Sequence, residues 1–196
     1  MDTAKWLHRK WRRVLPQVSP VRCRRTARTV IPKYFAALGF TCGAEIGVCK
    51  GDFSKHICEC VPGVDLLCVD LWGSYYHFSQ ESGDKHFEIA TKKLAPYNCT
   101  LVRKPGQEAA MDVEDNSLDF VYIDADHRFD YVMEDLITWG RKVRKGGIIS
   151  GHDWYRFRNN GVVDAVDVYA KNHFVNEWFI TDEREASFFM VKNWDN

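Results

Sequence analysis

Two short runs of acids and histidines carry much of the chemistry this sequence can offer. Asp124-Ala125-Asp126-His127 follows the apolar run Leu118–Ile123, and His152-Asp153 follows Ile148–Ser150. If the two apolar runs are neighbouring parallel strands, their carboxyl ends meet. Asp124 and Asp153 then share one hard cation, with His152 or water completing the set. Mg²⁺ suits such a site because it takes few carboxylates and keeps several waters. A cation bound to a substrate hydroxyl lowers its pKa and fixes its orientation. His127 stands three residues past Asp124, and an imidazole with an ordinary pKa of about 6.5 suits a general base at neutral pH. Taken singly, each acid reads as well as a helix cap, and each histidine as a partner for backbone. Four such residues at two adjacent strand ends read as a site.

A second constellation precedes them. Glu45-x-Gly47-x-x-x-Gly51 follows a short apolar run and opens a helical segment, and Asp70 closes the next strand. In open α/β sheets ligands sit beyond the carboxyl ends of the strands. Glycines let backbone approach a ligand and allow positive φ. A following helix N-terminus offers free N–H groups to an anion. An acid about 20 residues on accepts hydrogens from ribose hydroxyls. Together these describe a nucleoside-bearing ligand. The bland alternative is a tight turn followed by a capping acid. The dinucleotide fingerprint G-x-G-x-x-G is absent, since Cys49 takes the place of its middle glycine.

The elements that must position these residues alternate. Strands are expected at Ala44–Val48, Asp65–Leu71, Thr100–Arg103, Leu118–Ile123 and Ile148–Ser150. Helices are expected after Gly51 and at about 84–94, 130–143 and 162–171, with another at 29–38 ending on Gly39 as its C-cap. Strands separated by helices of this length argue for a parallel sheet covered on both faces. The last two strand-like runs, Trp178–Thr181 and Ser187–Lys192, are joined by too few residues for a crossover and must form an antiparallel hairpin. The expected fold class is therefore α/β, a Rossmann-like, doubly wound, seven-stranded sheet, mostly parallel with a C-terminal antiparallel hairpin.

Composition sets the outer bounds. A length of 196 residues fits one domain, and 45% apolar residues can bury a core. No run of about 18 apolar residues predicts a membrane span. Seven Cys, with no C-x-x-C pair and no secretory segment, favour a reducing, cytoplasmic setting. The zero net charge is segregated. Residues 3–44 hold ten Lys or Arg and no acid, whereas residues 45–196 hold 17 basic and 26 acidic groups. Such a body does not suit nucleic acid, because a polyanion needs a basic face. The chain therefore divides into a basic N-terminal helical extension, 1–40, and a ligand-binding domain, 41–196. Residues 4–15 read as an amphipathic helix, with Trp6, Leu7, Trp11, Val14 and Leu15 on one face. It suits a lid, a docked helix, an interfacial anchor on anionic lipid, or an Arg-rich transit segment. The aromatic loop Trp72–Phe78 reads either as a cover for the site or as ordinary packing.

The ordered set Glu45-Ile-Gly-x-x-x-Gly51-x-x-Ser54, Asp70, Ile123-Asp124-Ala-Asp126-His127 and Gly146-Gly147-Ile-Ile-x-Gly-His152-Asp153 resembles class I methyltransferases dependent on S-adenosylmethionine (SAM). The nearest subgroup is the small-molecule O-methyltransferases that include macrolide sugar enzymes, with catechol and caffeoyl-CoA enzymes more distant. The resemblance spans roughly residues 40–192. It implies that Glu45 and Gly47 hold the methionine part of SAM, that Gly51 belongs to the same cofactor-binding loop, and that Asp70 binds the ribose. Trp72 would lie near the adenine edge, with Gly106, Gln107 and Glu108 bordering the ring. Asp124, beside the cofactor, and Asp153 match metal-ligand positions, with His152 where macrolide enzymes often carry a second Asp. His127 stands where catechol-type enzymes place a catalytic lysine. The implied activity is methyl transfer to a small-molecule hydroxyl, assisted by Mg²⁺, with Asp124 and His127 catalytic. Two alternatives are a nicotinamide-dependent oxidoreductase and a non-catalytic SAM-fold protein tethered by its N-terminus. Monomer and homodimer are both compatible with the sequence.

Overall fold

The computed structural model describes residues 2–11, 19–74 and 79–196. Val14 and Leu15 of the expected first helix, and residues 75–78 of the aromatic loop, lie outside them. Within the described residues the chain runs α1 Thr3–Trp11, β1 Val21–Arg22, a 3-10 turn Arg28–Val30, α2 Ile31–Leu38, β2 Cys42–Ile46 and α3 Asp52–Cys60. It continues β3 Asp65–Asp70, α4 Gln80–Leu94, β4 Cys99–Arg103, α5 Gly106–Met111, β5 Leu118–Ile123 and α6 Phe129–Lys142. It ends β6 Val143–Trp154, α7 Val162–Asn172, β7 Trp178–Ile180 and β8 Ala186–Val191.

The strands form one sheet in the order β1-β7-β8-β6-β5-β2-β3-β4. Only β8 runs against its neighbours, pairing antiparallel with β6 and β7. The sheet has eight strands rather than the expected seven. The addition is β1, two residues that pair parallel with β7 through Val21 and Phe179. From β2 the chain winds outward through β3 and β4, then returns to place β5 on the other side of β2. The switch point therefore lies between β2 and β5, where such sheets bind ligands.

Alternation along the strands divides the core between the two faces. Phe120 and Tyr122 of β5 face one side with Phe35 of α2 and Phe53 and Ile57 of α3. Val121 and Ile123 face the other with Leu136 and Trp139 of α6 and Val166 of α7. Phe120 stacks on Phe35 at 4.0 Å between centroids. Gly43 admits that ring, since a Cβ there would lie 2.3 Å from it. Helix α2 ends as expected on Gly39, which closes it with φ 73°. Its expected first turn is the separate 3-10 turn, next to Pro32 near the helix start, where a missing N–H is harmless.

The N-terminal extension is woven into this frame. Leu7 of α1 is fully buried, and Trp6 packs edge-on against Tyr34 at 5.6 Å. Thr3 Oγ1 donates to the Gly146 carbonyl at 2.6 Å, and His8 meets Glu177 at 3.0 Å. Gly146 lies at the amino end of the part of β6 that pairs with β5, so α1 docks on the body away from the carboxyl ends of the strands. That overturns the lid reading for α1. No helix among the described residues is long and apolar enough to cross a membrane.

Candidate functional site

A cavity of about 400 Å³ opens at the carboxyl ends of β2, β3 and β5, walled among others by Gly47, Asp70, Trp72, Gly106, Gln107 and Asp124. Its rear is the seam of the sheet. Gly47 has φ 92°, and a Cβ on it would lie 2.1 Å from the Asp124 carbonyl oxygen. Only glycine fits that close crossing of β2 and β5. Cys49 and Gly51 also have positive φ, so the loop doubles back before α3 begins.

Asp70 organises the rim. Its Oδ2 accepts from the Cys49 N–H and its Oδ1 from the Trp72 N–H, both at 2.8 Å. The Trp72 indole N–H in turn donates to the Cys49 carbonyl at 2.7 Å. Trp72 sits at φ 39° beside Gly83, whose missing side chain makes room for its carbonyl. A single carboxylate thus ties the loop after β2 to the loop after β3.

The inner wall is polar and incompletely paired. Asp135 of α6 is 3% exposed, and its Oδ1 has no partner. The Trp139 Nε1, one turn on, is equally buried and unpaired. Both face Gly106, where a Cβ would come within 3.0 Å of Asp135 Oδ1. Burial, and then the charges of Glu134 and Asp126, push the Asp135 carboxyl up to about 7. Buried polar groups in native proteins nearly always have partners. An orphaned donor and acceptor beside a glycine recess, with the Asp70 carboxylate across the cavity, fit a nucleoside with polar edges.

Not every expected residue lines this cavity. Glu45 and Gly51 do not: Glu45 is 1% exposed, faces α3, and accepts a hydrogen bond from Ser54. Burial pushes its carboxyl up to about 8, against the lowering effect of Ser54. Gly51 instead caps α3 at φ 75°. Gln107 is on the wall and donates to Glu134 at 3.0 Å, whereas Glu108 is exposed and off it.

The acids and histidines after β5 and β6 meet, because those strands pair in parallel through Ile123 and Gly151. Asp124, His152 and Asp153 each offer a ligand atom, all within 4.8 Å of one another. Two carboxylates and an imidazole are a donor set suited to a divalent cation. Asp153 has φ 56°, an uncommon backbone that clusters at functional sites. His127 Nε2 lies 3.0 Å from Asp153 Oδ2 and 3.7 Å from Asp124 Oδ1. Hydrogen bonds to Asp124 and Asp153 raise its pKa to about 10. Asp153 is held well below the usual carboxylate range by His127 and His152, despite partial burial.

Arg28 is a site residue that sequence reasoning missed. Its Nη2 donates to Asp124 Oδ2 at 3.0 Å, and its guanidinium lies 4.3 Å from the centre of the Phe53 ring. It is one of ten basic residues in an acid-free stretch, and no spacing sets it apart.

A doubly wound sheet, a glycine crossing at its switch point and an acid closing the next strand define a nucleoside-binding α/β enzyme of the Rossmann-like class. Residues 44–154 match the methyltransferase domain family. The chain belongs to that family and is a SAM-dependent methyltransferase. This removes the oxidoreductase alternative. No curated protein matches the sequence. Among solved structures, the chain is similar to a candidate rRNA methylase from Clostridium thermocellum, at 14% identity and TM-score 0.65 over 89% of this chain and 99% of that one. A candidate caffeoyl-CoA O-methyltransferase from Staphylococcus aureus aligns at 14% identity and TM-score 0.64, covering 96% and 91%. A candidate O-methyltransferase from Klebsiella pneumoniae aligns at 15% identity and TM-score 0.61, covering 97% and 96%. Likeness at these identities speaks for the fold, and the acceptor must be argued from the site.

Proposed function

We propose that this methyltransferase acts on a hydroxyl oxygen of a small molecule, with a divalent cation held by Asp124, His152 and Asp153. The observation that carries the reading is the double place of Asp124, which walls the cofactor cavity and belongs to the acid–histidine cluster. A hydroxyl is a poor nucleophile until its proton is removed, and this cluster is equipped for that task. The body, with 17 basic and 26 acidic groups over residues 45–196, favours a small acceptor over a polyanion.

Bound SAM supplies a methyl carbon already activated by its sulfonium, so the protein's contribution is chiefly alignment. Asp70 receives the ribose hydroxyls at the rim, and the loop from Gly47 to Gly51 cradles the methionine end. Trp72, Gly106 and Gln107 border the base, and Asp135 meets its polar edge. Glu45 supports the loop from behind through Ser54. Asp124, His152 and Asp153 would hold a divalent cation, which would lower the pKa of a bound hydroxyl. His127, 3.0 Å from Asp153 Oδ2 at the edge of this cluster, would accept the hydroxyl proton in its neutral form.

The test is a panel of phenols, catechols, sugars, amines and short RNAs incubated with SAM, with Mg²⁺ or with chelator, and read by mass spectrometry. Methylation confined to hydroxyl compounds and lost with chelator supports the proposal. Methylation of amines or RNA alone contradicts the acceptor class, and equal rates with chelator contradict the cation.

A further inference from the structure

Asp124 divides its two oxygens between different neighbours. Oδ1 faces His127 and His152, at 3.7 and 3.9 Å, and Oδ2 accepts from Arg28 at 3.0 Å. We propose that Arg28 is the resident counter-cation of Asp124, engaging Oδ2 so that a divalent cation is directed to Oδ1 and restraining the metal affinity of the cluster by its charge. This rests on the cation reading above.

The guanidinium is fixed from several sides. It lies over Phe53 at 4.3 Å and beside the Tyr122 ring at 5.6 Å. Its backbone N–H donates to Glu183 Oε1 at 2.5 Å, and Glu183 is itself held by Thr181 Oγ1 at 2.9 Å. The Nε is sealed from solvent without a partner, so the hydrogen bond to Asp124 is made at the expense of another donor. Packing on the Phe53 and Tyr122 rings keeps the guanidinium beside Asp124. Unlike histidine, arginine keeps its charge at any working pH. A cation entering at Oδ1 therefore always meets a positive charge across the same carboxylate. Burial disfavours that charge, and the Asp124 carboxylate beside it favours it.

Arg28 is supplied by the N-terminal extension. Strand β1 pairs with β7, and the Arg25 N–H donates to Asp182 at 2.9 Å, so the segment is threaded along the β7–β8 turn before Arg28 enters the site. The extension thus contributes a residue to the cation cluster from the face opposite the cofactor cavity, which Arg28 does not line.

The test is calorimetric titration of the full chain with Mn²⁺ alone, for wild type, Arg28→Met, Arg28→Gln and Arg28→Lys, with Asp124→Asn locating the site. S-adenosylhomocysteine affinity, measured on the same proteins, reports an intact cavity. Removing a unit charge beside a dication should tighten Mn²⁺ binding at least about ten-fold in the Met and Gln variants, with Lys within about three-fold of wild type. S-adenosylhomocysteine affinity should stay within about three-fold throughout, because binding does not touch Arg28. Unchanged or weaker Mn²⁺ binding in the neutral variants, or equal tightening in the Lys variant, overturns the inference and leaves the cation reading standing. Mn²⁺ binding in none of the proteins overturns both. Should Arg28→Met fail to fold, the polar Arg28→Gln carries the comparison.

Discussion

Gly47 and Asp124 cross so closely that a Cβ on residue 47 would lie 2.1 Å from the Asp124 carbonyl oxygen and 2.7 Å from the Ala125 Cα. The contact sets the distance between the cofactor loop and the cation cluster. Both obstacles are backbone, so neither can rotate away. Gly47→Ala also places a side chain at φ 92°. The variant should lose about 3 kcal/mol of stability or more, measured by urea unfolding, and bind S-adenosylhomocysteine weakly or not at all. A loss under about 1 kcal/mol would show that the crossing tolerates a methyl group.

Asp70 is expected to act both on ribose and on the loops. Its oxygens already accept the Cys49 and Trp72 N–H groups at 2.8 Å, and each oxygen has a second lone pair for a ribose hydroxyl. Asp70→Ala removes all four bonds, and charge-assisted bonds contribute about 1.5–3 kcal/mol each. The affinity for S-adenosylhomocysteine should fall at least about 100-fold. Asp70→Asn should fall less in affinity but unfold at lower temperature than wild type, because its amide nitrogen cannot accept. Equal affinity in Asp70→Ala and wild type would place the ribose elsewhere.

Stability should depend on pH through Asp135. Its carboxyl titrates at about 7 in the fold against an ordinary 3.8, chiefly from burial. Between those values the folded chain binds more protons than the unfolded one, so stability falls as pH rises. The contribution is complete below 3.8 and is lost as pH rises through about 7. Asp135→Asn cannot ionise and escapes that loss. In the absence of cofactor, the melting temperature of Asp135→Asn relative to wild type should therefore rise between pH 5 and pH 8. The free-energy difference is at most about 4 kcal/mol. A difference independent of pH would mean that Asp135 is ionised throughout.

The acid cluster makes a separate prediction. Asp153→Asn removes one carboxylate of the proposed cation site and the nearest partner of His127, at 3.0 Å. Turnover should fall about 100-fold or more, with S-adenosylhomocysteine affinity unchanged because Asp153 does not line the cofactor cavity. A parallel loss of cofactor affinity would point instead to collapse of the loops after β5 and β6.

The frame was legible in the sequence where residues alternate strongly. Leu118–Ile123 and the hairpin of β7 and β8 announce themselves by β-branched and aromatic residues in short runs. Strand β1 does not, because two residues hold no period and their pairing with β7 is set by tertiary contact. Helix α4 begins at Gln80 rather than near Asp84, since Ser79 caps it by accepting from the Ser82 N–H, although its first turn is wholly polar. The chain's order placed Asp124, His152 and Asp153 together, because adjacent parallel strands align their ends. It could not place Arg28, whose role depends on a path around the β7–β8 turn. Nor could it show Asp135 as cavity wall, because it keeps the ordinary helical spacing of core residues.

The central claim is that the cavity between Gly47, Asp70 and Gly106 is the SAM site. Calorimetric titration of the full chain with S-adenosylhomocysteine tests it most directly. One site per chain is expected, with a dissociation constant in the range of about 1–100 μM, and a crystal of the complex should show the ribose against Asp70. Absence of binding at millimolar ligand, or a ribose bound away from Asp70, would contradict it.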